Sequence, residues 1–227
     1  MTPATHAAVG ALIAVKLRRP GYVLPAAFVS HFLLDFIFHF EGFYPLGYRL
    51  GIGHENASIL TFVIVGLCLT PVIVGLSRGC REIAVFSLFM LAQTLLVADP
   101  TWLPRFTLGA LFTALAYWYR RDSPHWLWYP AGWFANLPDT FKRAGEWFGD
   151  VHAAIHYDGP RNLGDWLYRL THDGASVEIP FRFEDPYYIT GYGLELAGEL
   201  TILIAALVWI RRRVTPEPAA LSDRSIQ

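Results

Sequence analysis

The sequence predicts an all-α protein: a polytopic membrane bundle of about six or seven spans, some of them short, with an interfacial amphipathic helix and a small irregular lobe. Three observations lead there. The 227-residue chain is 54% hydrophobic and only 16% charged. Its mean hydropathy is +0.34, with the apolar residues gathered into long runs rather than alternating. Basic residues fall in clusters between those runs, at Lys16/Arg18/Arg19, Arg78/Arg81, Arg120/Arg121 and Arg211–Arg213. This organisation predicts one integral-membrane domain over residues 1–213, with 124–190 as an interfacial or extramembrane portion and 214–227 as a disordered tail. A net charge of −1 gives no reason to invoke nucleic acid. The partners it calls for are membrane lipid and an amphiphilic small molecule. Cys68 and Cys80 have no metal-ligand spacing and read as reduced, structural thiols.

The first apolar run, 7–17, is short for a span and reaches sufficient length as a tilted helix starting near Pro3, with Thr5 as its N-cap and His6 in its first turn. No secretory signal is expected, because the basic residues follow this run instead of preceding it. Arg19-Pro20-Gly21 makes the turn into the helix that organises the chain, Pro25 to Glu41. That helix carries His31, Asp35 and His39 at intervals of four. Each such step advances about 40° around a helix, so the three side chains form one stripe. Ionisable groups within a span are costly and mark functional sites, and His with Asp is a metal-ligand set. His31 and His39 stand about 12 Å apart along the axis, too far to share one ion. Asp35 therefore pairs with either His around one metal or bridges two metals, and other ligands must come from elsewhere. His6 lies as far before the Pro-Gly turn as His31 and Asp35 lie after it, which puts it at their depth in an antiparallel hairpin. Glu41, two residues beyond His39, is a further ligand or base.

Spans follow at 57–76, 82–98 and 102–119, with Gln93 the one strongly polar side chain well inside them. The stretch 124–138, rich in Trp and Pro, reads as an interfacial segment or a short crossing. Asp139 after Pro138 is placed at the start of an amphipathic helix, 139–156, which carries His152 and His156 as an i, i+4 pair and a second candidate set of metal ligands beside Asp139. Residues 157–190 read as irregular, with VEIPFRFE as a weak strand. The final span, 192–210, holds Glu195 and Glu199 on one face. With the N-terminus outside, six spans would leave the Arg211–Arg213 cluster outside, against the positive-inside rule. A crossing at 124–138 restores the rule and brings Asp139, His152, His156 and Glu199 to the outer side, level with His39.

Thr5-His6 with Gly10, and Ser30-His31 with Asp35 and His39, make the first 40 residues similar to a family of small bacterial integral-membrane proteins, the membrane-bound metal-dependent hydrolases. Leu137-Pro138-Asp139 resembles a Pro-Asp element of the same family, while Phe38 stands where its pattern has a proline. The resemblance implies a bacterial inner-membrane location and a metal held by His6, His31, Asp35 and His39, with Asp139. The expected chemistry is hydrolysis of a lipid-like substrate by a water activated on a divalent ion, zinc by preference, with Glu41 or Glu199 as general base. The competing expectations are a metal-ion or small-solute transporter, in which these ligands form a transit site, and a non-catalytic scaffold, in which they only pack helices.

Overall fold

The computed structural model describes residues 2–36, 50–78, 80–96, 103–141, 147, 149–150, 163–172 and 185–214. Among these the chain is all-helical, without strands: α1 (Pro3–Leu17), α2 (Pro20–Asp35), α3 (Gly53–Ser77), α4 (Arg81–Leu95), α5 (Leu103–Arg120), a 3-10 turn (Pro124–Leu127), α6 (Trp128–Phe141), α7 (Leu163–Thr171) and α8 (Pro186–Val214). Both hairpin helices open on a proline just inside the N-cap, after Thr2 in α1 and Arg19 in α2. Proline suits that position because its missing N–H would have no helical partner there. The N-cap of α1 is thus Thr2 and not Thr5, and α2 starts at Pro20, running through Pro25 and ending at Asp35.

Side-chain contacts fix how the helices alternate. Arg211, near the end of α8, donates from Nη1 to the Gly75 carbonyl at 2.8 Å and from Nη2 to the Arg78 carbonyl at 3.3 Å, at the end of α3. The Lys16 ammonium at the end of α1 lies 5.4 Å from the Trp209 ring centre. Arg120, closing α5, pairs with Glu82 in the first turn of α4 at 3.2 Å. One end of the bundle therefore collects the basic clusters of α1, α3, α4, α5 and α8. The other end holds the start of α1, the end of α2 and the end of α6.

At the centre lie α1 and α6. Ala4, Ala7, Ala8, Ala11 and Ala14 of α1 are buried, as are Trp128, Ala131 and Ala135 of α6. Small side chains let the two axes approach, and at Gly10 the approach is backbone to backbone. A Cβ there would stand 2.5 Å from the Ala131 carbonyl oxygen. On the opposite flank of α6, a Cβ on Gly109 of α5 would run into the Trp133 indole. Aromatic rings close the layer above: Phe86 meets Trp128 edge-on at 5.7 Å and Tyr129 at 5.6 Å. The Trp/Pro-rich stretch, expected as an interfacial segment or a short crossing, is a 3-10 turn and a helix packed among its neighbours.

Among the described residues, two helices are long and apolar enough to cross a membrane: α3 over Ile59–Ser77, with mean hydropathy 2.6, and α8, with 1.8. The first is apolar on every face yet only 17% of its span is buried against the rest of the chain. Leu67, Val63 and Val74 stand out from it. Where an irregular lobe was expected, residues 163–171 form α7, held by an i, i+4 pair of Arg169 with Asp165 at 3.0 Å. The VEIPFRFE segment and the 215–227 tail lie outside the described residues. Cys68 and Cys80 are both free thiols.

Gly10→Ala is expected to lower stability by about 1–3 kcal/mol through overpacking of α1 on α6. Ala at Gly66, where a Cβ would meet nothing within 4 Å, is expected to leave stability unchanged or slightly raised. Denaturant titration of the purified protein in one detergent checks both.

Candidate metal centre

His6, His31, Asp35 and Asp139 come together from three helices. His31 and Asp35 are one turn apart on α2, and His31 Nε2 lies 2.8 Å from Asp35 Oδ2. Across the hairpin, His6 Nε2 of α1 lies 3.2 Å from Asp35 Oδ1. The two imidazoles stack, with ring centres 4.2 Å apart. Asp139 approaches from α6, its Oδ1 4.0 Å from His31 Nε2. One donor atom each from His6, His31 and Asp139 lie within 4.8 Å of one another. His6 and His31 are fully buried and Asp35 nearly so.

The orientation of His31 is set by α6. Its Nδ1 lies 2.9 Å from the Ala135 carbonyl oxygen. A carbonyl only accepts, so the proton of this bond sits on Nδ1, and Nε2 faces the carboxylates. A His that donates one ring N–H to a backbone carbonyl and aims the other nitrogen inward has the outer-shell arrangement of a metal ligand. His6 Nδ1 is buried without a hydrogen-bond partner among the described residues. Its Nε2 points at the same carboxylate.

The donor set fits a divalent ion. Imidazole and carboxylate together suit zinc and related metals. Donors around a tetrahedral zinc stand ~3.3 Å apart, given bonds of about 2.0–2.1 Å. The 2.8 and 3.2 Å contacts of Asp35 are at or inside that spacing, and the 4.0 Å contact of Asp139 is slightly outside it.

Around the four residues lies a polar layer that the sequence did not single out. Arg105, buried near the start of α5, has Nη2 3.9 Å from Asp139 Oδ2. Asn136 donates to the Pro3 carbonyl at 3.1 Å, tying α6 to the first turn of α1. Thr94 of α4 accepts from the Ala4 N–H at 3.1 Å. The available signal for Arg105 was a cation at the edge of an apolar run. For Asn136 it was an amide between a tryptophan-rich segment and Pro138.

Asp139 was expected to start a helix and instead sits in the last turn of α6, which runs through Pro138 to Phe141. This difference places its carboxylate at the site end, because α6 has already crossed from the basic end. Glu199 was expected as general base. Its Oε1 accepts from the Thr2 backbone N–H at 2.6 Å and from the Thr5 hydroxyl at 2.8 Å. It therefore caps α1 from a distant helix, satisfying donors that the first turn leaves open. Glu195, one turn away, accepts from the Leu163 N–H at the start of α7. His39, Glu41, His152 and His156 lie outside the described residues.

No protein-family model, curated protein or solved structure matches this chain.

Glu199→Ala is expected to cost about 1–3 kcal/mol, since it strands a buried backbone N–H. Glu199→Gln keeps a carbonyl oxygen for Thr2 and Thr5 and is expected to cost less than half as much. Unfolding midpoints of the two variants, compared in one detergent, check the ordering.

Proposed function

We propose that this chain is an integral-membrane, metal-dependent hydrolase whose centre comprises His6, His31, Asp35 and Asp139. The observation that carries the reading is the convergence of these four groups, separated by up to 133 positions in the sequence, within the buried interior of the bundle. Ionisable side chains in such surroundings are costly unless paired or bound to a cation. A divalent ion held there would supply Lewis-acid polarisation and a nucleophilic water near neutral pH. His6 and His31 would hold it with Asp139, while Asp35, touching both imidazoles, orients them or adds a fourth ligand. Arg105 restrains Asp139 and keeps a positive charge beside the site. Glu199 gives one oxygen, Oε1, to capping α1, and Asp35, which faces both imidazoles, is the better-placed carboxylate for proton transfer.

Apolar surface on α3 and α8 supports a membrane setting, since exposed patches of this kind need lipid or a partner. Gathering of the basic clusters at one end supports an orientation with that end in the cytoplasm. The His/Asp set then lies toward the outer side, where an amphiphilic, lipid-like substrate would reach it from the bilayer. The resemblance of the first 40 residues to membrane-bound metal-dependent hydrolases agrees with this reading and implies a bacterial inner-membrane location.

A second reading has one observation in its favour: Asp35 already lies within ion-pair distance of both imidazoles, so the cluster can serve as polar pairing between α1 and α2. Metal content separates the two. Purified protein is expected to carry about one divalent ion per chain by elemental mass spectrometry, and His31→Ala and Asp139→Ala to lose most of it. His125→Ala, at the other end of the bundle, is expected to retain it. Full metal retention in both site variants would leave the structural pairing as the better account. Hydrolysis of ester and phosphoester substrates of increasing acyl length, with and without chelator, then tests the reaction.

Orientation is tested separately. Reporter fusions are expected to place residue 2 outside and residue 214 inside, and a C-terminal reporter active outside would remove the crossing by α6.

A further inference from the structure

We infer that a cavity at the basic end, between α4, α5 and the start of α6, binds the headgroup of an anionic membrane phospholipid. It has a volume of about 370 Å³ and is lined by Arg81, Glu82, Phe112, Ala116, Arg120 and Tyr129, among others. That size is within the range of small-ligand sites. The inference rests on the membrane setting proposed above, and not on the metal centre, which lies at the opposite end of α6.

Charge decides what the cavity accepts. Glu82 and Arg120 neutralise one another across 3.2 Å. Arg81 lines the same cavity, is exposed, and has no ion-pair partner among the described residues. One positive charge is therefore left over, on a guanidinium shaped for two-pronged contact with phosphate oxygens.

Apolar surface decides how the ligand lies. Phe112, Leu115 and Ala116 line the cavity with Val85. From there Leu88 of α4 and Leu111 of α5 continue the apolar surface toward the bundle middle, 64% and 51% exposed. An acyl chain attached to a headgroup held by Arg81 can run along this strip. Depth agrees as well. Tyr117, Trp118 and Tyr119 stand exposed at the end of α5, as aromatic residues do at the headgroup level of a bilayer. A free anion would satisfy Arg81 and leave the strip bare, whereas a zwitterionic lipid would cover the strip and leave Arg81 facing a neutral headgroup.

The test uses the full chain in detergent, titrated with phosphatidylglycerol, phosphatidylcholine or glycerol 3-phosphate and read by native mass spectrometry. Phosphatidylglycerol is expected to bind more tightly than phosphatidylcholine. Arg81→Ala is expected to weaken phosphatidylglycerol about five-fold and leave phosphatidylcholine unchanged, the effect of removing one basic charge near an anionic headgroup. Ala116→Trp, which fills the cavity floor, is expected to weaken both lipids. Because the Arg81 side chain is exposed, its replacement does not threaten the fold, and an unchanged unfolding midpoint checks this. Equal affinity for the two lipids, or unaltered phosphatidylglycerol binding by Arg81→Ala, would overturn the inference. So would glycerol 3-phosphate binding as tightly as the lipid. Asp139→Ala is expected to lose the metal and keep the lipid preference, so the two proposals fail separately. Loss of preference by a chain that still needs detergent for extraction counts against this cavity alone.

Discussion

Asp35 is the group on which the site end of the protein depends. Its two oxygens reach two imidazoles from two helices, 3.2 Å to His6 and 2.8 Å to His31. In an apolar interior a carboxylate is held only if its oxygens are occupied, and removing one partner of such a pair costs several kcal/mol. That requirement fixes the depth of α1 against α2. A partner for the second ring nitrogen fixes a ring's orientation as well. The Ala135 carbonyl does this for His31.

Satisfying Asp35 demands a very close centre, and the chain achieves it with side chains that are nearly absent. The alanine row of α1 and Gly10 let α6 lie against it, and Gly109 lets α5 press on α6 from the other side. The polar groups and the small residues are thus two halves of one constraint. Any bulk added to the α1–α6 contact moves His6 away from the carboxylate it shares. The Thr5-His6-x3-Gly10 pattern has this physical content: the His is the donor and the glycine is the clearance that places it.

Much of this was legible in the residues. Equal distance from the Pro-Gly turn put His6 beside His31 and Asp35, because a hairpin of two helices maps sequence distance onto depth. The helices themselves followed from apolar runs and basic breaks. What was not legible concerns α6. Its composition, tryptophans with prolines, belongs equally to an interface and to a crowded interior, and periodicity reports a helix's faces but not which neighbours cover them. Hence Asp139 was recognised as a residue while its place in a helix was misjudged, and Arg105 and Asn136, whose meaning comes only from Asp139 and Pro3, passed unnoticed. Glu199 shows the same limit. Burial of a carboxylate was evident from its span, yet a backbone N–H as its partner is invisible in a side-chain pattern. Likewise, α7 is held partly by Glu195, a partner more than 20 residues further on.

The two carboxylates of α8 also impose an order on biosynthesis. Glu199 closes the first turn of α1, and Glu195 closes the first turn of α7, so a helix late in the sequence completes elements made before it. Until it arrives, the Thr2 N–H is an open donor at a position that the finished fold buries. The earlier helices can form one by one, but the start of α1 cannot settle at its final place beforehand. A chain interrupted before residue 195 would carry His6, His31, Asp35 and Asp139 in full and still lack the anchor that holds His6 in place. The His/Asp centre is thereby coupled to α8: the placing of His6 depends on a helix that follows all four of its groups in the sequence.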